Sequence, residues 1–415
     1  MIRPAEATNT QSSDQTLSKR IPELDGLRGM AILLVFLAHY LGGAGHLHFR
    51  SSIRHIFSAI NVGWSGVDLF FVLSGFLIGG ILLEAKTAPH YFRAFYMRRV
   101  HRILPIYYSW ILLYAVIVLV ALAGGPNPFS ASERELKQVL PQLLFLQNFQ
   151  LSLYPFQQAW FVVTWSLAVE EQFYLFAPLV IRFLTTRNLV IALLSAIAGA
   201  PLIRFLVFRY WFPSTLAAVY LLPCRADALA LGVLLAVGWR SQAFRAFATR
   251  HRRLLQWTLF LLFAGVCCTL RWMVGPVTLL RATIGYSWLA LLYVCLLLLA
   301  LSQTDTWLAG IFRWKTLRWL GTVSYCVYII HLAILLLSHQ IILHGAPEFY
   351  DLPGAGVTAL ATILTLALAA LSWRYFERPL IRRGHTYAYE QESSRRLFLK
   401  PSGERSLTET PESNM

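Results

Sequence analysis

The chain is 415 residues long, 57% apolar and 13% charged, with a mean hydropathy of +0.56. Apolar runs recur along nearly the whole length between short basic loops, a pattern that a soluble core of this size does not need and that excludes an ordinary globular protein. The formal net charge of +16 sits beside the ends of those runs, at Arg98, Arg99, Arg102, Arg250, Arg252, Arg253, Arg382 and Arg383, where topology and anionic lipid account for it and no nucleic-acid partner is implied.

The expected fold is all-α: a polytopic membrane bundle of about ten transmembrane helices. Reading spans of about 20 residues with Gly, Pro and charge as punctuation places them near 27–45, 62–84, 103–124, 159–184, 189–208, 218–238, 254–273, 280–301, 321–343 and 356–376. With the N-terminus inside, the inner segments collect roughly 27 of the Lys and Arg and the outer loops about 8, a positive-inside bias that predicts cytoplasmic termini in the cell (inner) membrane. Residues 1–20 read as a polar cytoplasmic tail without a cleavable signal pattern, so the first span is expected to remain in the mature chain. Residues 21–383 form the transmembrane domain, and 384–415 are polar and expected to be disordered. The outer loop 124–159 carries an apolar run, 143–149, suited to the membrane surface or to capping a cavity. The five cysteines show neither metal-ligand nor disulfide-framework spacing and read as free thiols, and no metal site is expected.

Along the chain, ionisable residues inside spans mark the chemistry, because each is costly in hydrocarbon. Arg28 and His39 lie eleven residues apart on one apolar segment, which by helical rise is about 16 Å on nearly the same face. A histidine near neutrality can take a proton from a hydroxyl and return it to a leaving group, as acyl transfer to an alcohol requires. Asp68 opens the second span between Gly66 and Ser74-Gly75, too deep for a solvated loop carboxylate; it either neutralises Arg225 or serves a site. In the inner loop, Arg99 and Arg102 at i, i+3 project to one side among aromatics, as a site for a phosphorylated ligand requires, although a basic stop at the membrane edge has the same pattern. Ser166, Glu170 and Tyr174 line one face of the fourth span, with Glu171 about 100° away. Arg225 and Asp227 in span six point to different faces and need partners on other helices. Ser324, Tyr328 and His331 share a face of span nine. Together these residues predict a polar interior distributed over five helices, a cavity or path.

The same stretches carry a family resemblance. The chain resembles the acyltransferase 3 family of bacterial integral-membrane O-acyltransferases through Leu24-Asp25-Gly26-Leu27-Arg28-Gly29 with His39, Asp68-Leu69-Phe70-Phe71-Val72-Leu73-Ser74-Gly75-Phe76-Leu77, Arg99-x-x-Arg102 with Pro105, Trp165-Ser166-Leu167 with Glu170 and Tyr174, Arg225-Ala226-Asp227, Ser324-Tyr325 with His331, and Phe376-Glu377-Arg378-Pro379-Leu380. The resemblance implies a ten-helix bundle that takes an acyl group, commonly acetyl, from cytoplasmic acyl-CoA and passes it to a hydroxyl, often of a carbohydrate outside. By position, His39 would be the catalytic base, Arg28 its companion, and Arg99 with Arg102 the donor-binding arginines. Acyl-CoA is then a substrate, with no permanently bound cofactor. Some relatives add a C-terminal hydrolase-like domain; nothing after residue 384 reads as one, which implies action alone or with separate partners.

A transporter or exporter of a glycan or small molecule is the rival class, since buried charges are equally normal there. It predicts inverted repeats and broken helices in matching halves, and no such symmetry is visible in the sequence. A membrane scaffold or sensor leaves the charged interior without a purpose.

Overall fold

The computed structural model describes residues 21–42, 59–125, 139–154, 160–210, 216–273, 277–302, 306–349 and 351–389. Among these residues the regular structure is helical throughout, without a strand. Hydrocarbon offers the backbone no hydrogen-bond partners, so an open-ended apolar segment must satisfy its own amides, and a helix is the way to do so. Eight helical stretches among the described residues are long and apolar enough to cross a membrane, and the chain is an integral membrane protein.

The main helices are α1 (Pro22–Leu41), α2 (Gly66–Glu84), α3 (Tyr91–Leu122), α4 (Trp165–Phe183), α5 (Thr186–Tyr210), α6 (Leu222–Trp239), α7 (Gln242–Arg250), α8 (Arg252–Cys268), α9 (Tyr286–Ser302), α10 (Lys315–Leu343), α11 (Leu352–Ser372) and α12 (Arg378–Gly384). The expected spans at 159–184 and 254–273 correspond to α4 and α8. The first of these carries Glu170, Glu171 and Arg182 and the second is short, so neither belongs to the eight. Prolines stand in the first turns of α1, α6, α11 and α12, where a missing amide costs nothing, while Pro105, Pro178 and Pro201 lie inside α3, α4 and α5.

Two boundaries depart from the sequence expectation. α1 begins at Pro22 rather than near 27, because Glu23 is neutralised by Arg313 at 2.5 Å and can be buried. α3 begins at Tyr91 rather than near 103, so Arg99 and Arg102 ride on a helix continuous with the span instead of a loop. Hydropathy alone does not register an amphipathic helix start.

α1 packs against α10 and α2. A Cβ at Gly29 or Gly321 would strike the backbone carbonyl of Leu317 or Asp25, so glycine sets how closely α1 and α10 approach. Gly75 and Gly232 do the same for α2 and α6. This contact brings Arg28 and His39 of α1 toward the interior formed by α2, α3, α4 and α10.

The short helices Val139–Leu143 and Gln147–Leu153 turn Gln142, Gln147, Asn148 and Ser152 inward and leave Leu140, Leu144, Leu146 and Phe149 outward. Polar-in and apolar-out is the reverse of a soluble surface and suits contact with lipid. At the opposite end of α3, Arg98 donates to the Tyr387 carbonyl at 2.9 Å and its guanidinium lies 4.7 Å from the Tyr389 ring, docking the segment after α12. Residues 1–20, and the part of the C-terminal tail from 390 onward, lie outside the described residues.

Candidate functional site

The expected polar interior resolves into three regions. One is a cavity of about 600 Å³ at the basic end of the bundle, lined by Arg28, Arg99, Arg102, Arg240 and Arg245 among others. α1 supplies Arg28 to its wall, α3 supplies Arg99 and Arg102, α4 supplies Ser166, Glu170, Glu171 and Tyr174, and α2 supplies Ser74. The i, i+3 spacing on α3 explains why Arg99 and Arg102 reach one space while Arg98 turns away to the Tyr387 carbonyl.

Arg28, Arg99 and Arg102 form no salt bridge among the described residues. Arg99 lies 5.8 Å from the Tyr174 ring and 5.8 Å from the Phe95 ring, and its Nε is buried without a partner. The nearby Glu170 is held instead by hydroxyls: Ser74 donates to it at 2.8 Å and Tyr174 at 3.1 Å. Three guanidiniums facing one space without a bonded carboxylate make a ready site for a polyanion.

Val67, Phe70, Ser166 and Tyr328 also line the cavity. Tyr328 Oη donates to the Val163 carbonyl at 2.8 Å, which leaves Ser166 as donor in the 2.5 Å contact between the two hydroxyls. One turn further along α10 is His331, fully buried. It begins the second region.

There His331 Nδ1 is 2.8 Å from the Tyr328 carbonyl and 3.1 Å from that of Val327, while His39 Nδ1 is 2.9 Å from the Val35 carbonyl. A carbonyl can only accept, so both Nδ1 atoms carry hydrogen in the neutral rings, and these partners assign the tautomers. His331 Nε2 is therefore a lone-pair acceptor, 3.3 Å from His39 Nδ1. The consequence is that Nε2 of His39, which is half-buried in the last turn of α1, carries no hydrogen in the neutral ring and presents a lone pair. Tyr40 steadies the pair by donating to the His331 carbonyl at 2.9 Å. Neither histidine lines the cavity; Tyr328 stands between, its ring 5.9 Å from that of His331.

The third region corrects the expected single cavity. Asp68, Arg225 and Asp227 do not face it. Arg225 pairs with Asp68 at 3.0 Å, and Asp227 pairs with Arg204 at 2.9 Å, with side-chain exposures of 2% or less throughout. Asp227 also accepts from Ser287 at 2.6 Å and from its neighbour's amide, Ala228 N, at 3.0 Å. Arg225 lies 4.1 Å over the Tyr286 ring. Each carboxylate has found a guanidinium on another helix, which turns these charges into ties between α2, α5, α6 and the start of α9 rather than a solvated path.

Arg204 was the residue missed. Its signal was an ionisable side chain inside the apolar run 189–208. Arg28 and His39, expected on one stripe, serve different regions: Arg28 the cavity and His39 the histidine pair.

The chain is similar in sequence to known proteins. The Bacillus subtilis (strain 168) protein named "Putative peptidoglycan O-acetyltransferase YrhL" is 27% identical over 406 residues, covering 91% of this chain and 57% of its own length. "Peptidoglycan O-acetyltransferase OatA" of Listeria monocytogenes serovar 1/2a (strain ATCC BAA-679 / EGD-e) is 27% identical over 415 residues, covering 93% of this chain and 60% of its own. The chain thus spans less than two thirds of the length of these relatives. No solved structure matches the chain. The family described as "Acyltransferase domain" matches residues 21–374, and with the motifs above in their order along the cavity and the histidine pair, the chain belongs to the acyltransferase 3 family.

Proposed function

We propose that the protein is a membrane O-acyltransferase that takes an acyl group, acetyl by the names of its relatives, from cytoplasmic acyl-CoA and delivers it to a carbohydrate hydroxyl, with a peptidoglycan sugar as the leading acceptor. The observation that carries the reading is the sequence of chemistry along one line: arginines without a salt bridge among the described residues in a cavity at the basic end, then Tyr328, then a histidine pair whose geometry leaves His39 Nε2 a lone pair able to take a proton. The positive-inside bias of the sequence supports an arginine end that faces the cytoplasm, where acyl-CoA is found, with cytoplasmic termini.

Arg99 and Arg102 grip the donor phosphates and Arg28 adds charge from the facing helix. The pantetheine arm extends toward Ser166 and Tyr328, and rotation of the Tyr328 ring joins the cavity to His39. His39 Nε2 takes the proton of the acceptor hydroxyl as its oxygen bonds the thioester carbonyl carbon. On collapse of the tetrahedral intermediate the carbon–sulfur bond breaks, and the imidazolium returns the proton to the departing thiolate. The products are the ester and free coenzyme A. Glu170, held by Ser74 and Tyr174, supports the field around the arginines.

The expected effect of Arg99→Ala or Arg102→Ala is a loss of about 10- to 100-fold in coenzyme A affinity, since a hydrogen bond to a charged group contributes about 1.5–3 kcal/mol. Lys should rescue poorly because it lacks the planar fork. Titration of coenzyme A into purified variants measures this, and unchanged affinity in both would remove the arginines from donor binding.

Oriented proteoliposomes test the whole reading. Acyl-CoA supplied only to the arginine-rich face is expected to acylate an impermeant sugar acceptor held only at the other face. Product formed solely when both substrates share the arginine-rich face would place acylation before export and end the cross-membrane mechanism.

A further inference from the structure

The cavity carries a second cationic level at its mouth that the transfer chemistry leaves unused. Arg240 follows the last residue of α6 and Arg245 lies on the amphipathic α7; both line the cavity, with Trp239 beside them. Arg240 donates to the Ala236 carbonyl at 2.9 Å and to the Gly80 carbonyl of α2, and Arg245 donates to the Trp239 carbonyl at 3.1 Å. Neither forms a salt bridge among the described residues. Carbonyl tethers orient a guanidinium without cancelling its charge, which is what a preset anion site requires. Glu84 is the carboxylate at the same mouth, leaving the cations in excess.

Depth separates this pair from the other arginines. Arg240 touches α2 at Gly80, whereas the Glu170–Tyr174 group beneath Arg99 touches it at Ser74; by helical rise the two levels differ by about 9 Å. The lining of α2 runs from Val67 to Glu84, about 25 Å of rise. A long cavity with guanidiniums at two depths fits a donor that carries phosphate at two separated points and a flat base beside the outer one, against which an indole can stack.

We propose that Arg240 and Arg245 form a second phosphate subsite that takes the 3′-phosphate of the donor's adenosine, with Trp239 against the adenine, while Arg28, Arg99 and Arg102 take the diphosphate deeper in. This rests on the acyl-CoA reading above and adds to it a basis for donor selectivity. An anionic lipid headgroup offers the same phosphate chemistry, and the test separates the two sources.

The full chain in lipid nanodiscs is assayed with acetyl-CoA and with acetyl-3′-dephospho-CoA, by turnover and by direct titration of the corresponding free thiols. The wild type is expected to favour the 3′-phosphorylated donor by tenfold or more in KM and in affinity. In Arg245→Ala and Arg240→Gln that preference should fall toward one, while Arg99→Ala should weaken both donors and keep the preference. Arg245 lies on a surface helix, so its variant stays informative if replacing Arg240 disturbs folding. A preference that survives in both mouth variants overturns the subsite, and loss of bound anionic lipid from those variants, read by mass spectrometry, would then assign the pair to a headgroup. A wild type that binds no acetyl-CoA at all would instead fell the donor reading, and the subsite with it.

Discussion

His39→Ala is expected to lower acyl transfer by about 10² to 10⁴ while leaving insertion, helix packing and coenzyme A binding in place, because removal of a positioned base typically costs that much. The selectivity follows from geometry. His39 lies in the last turn of α1, outside the arginine-lined cavity, so its loss touches neither the donor phosphates nor the Gly29–Gly321 contact that seats α1 on α10. His331 should behave differently. Its Nε2 shares the one His39 Nδ1 hydrogen with the Val35 carbonyl, so under the proposed mechanism it is a positioning residue, and His331→Ala should lower kcat with little change in donor KM. His331→Gln should recover part of the loss, since an amide oxygen can also accept. Near-normal turnover in purified His39→Ala would return the pair to helix packing and direct the search for a base to Glu170.

How much of this was readable in advance depends on which physical signal carried it. Apolar run length placed the helices, because the bilayer demands continuous self-bonded segments. Angular spacing put Arg99 and Arg102 on one side of α3 and Ser166, Glu170 and Tyr174 on one side of α4, and those faces do meet the cavity. Spacing within a helix says nothing about which neighbour that face meets. Asp68, Arg225 and Asp227 therefore looked like parts of one polar path, while the close approach of α2 and α6 at Gly75 and Gly232 seals them among apolar side chains. Arg204 escaped notice for the same reason: its meaning lies in Asp227, one helix away. The tautomers of the two histidines depend on carbonyls one turn back along each helix, information that only a backbone in place can supply.

Arg225→Ala is expected to destabilise the protein by about 3–5 kcal/mol, the range for removing one partner of a buried ion pair and leaving the other charge alone. Asp68 would then face the apolar interior with its remaining oxygen, Oδ2, already without a hydrogen-bond partner. Unfolding in mild detergent, followed by denaturant titration or loss of monodispersity on heating, measures the effect. The double variant Arg225→Met with Asp68→Leu discriminates further. A tie between helices can be replaced by apolar side chains of similar volume at little cost or with a gain, so the double variant should recover most of the stability lost by Arg225→Ala and keep transfer activity. If the double variant were stable yet inactive, the pair would belong to the reaction after all. The separation of the ion pairs from the cavity, read from the absence of Asp68, Arg225 and Asp227 along its walls, would then hold only for the state described here, and a second conformation that opens them to the acceptor would have to exist.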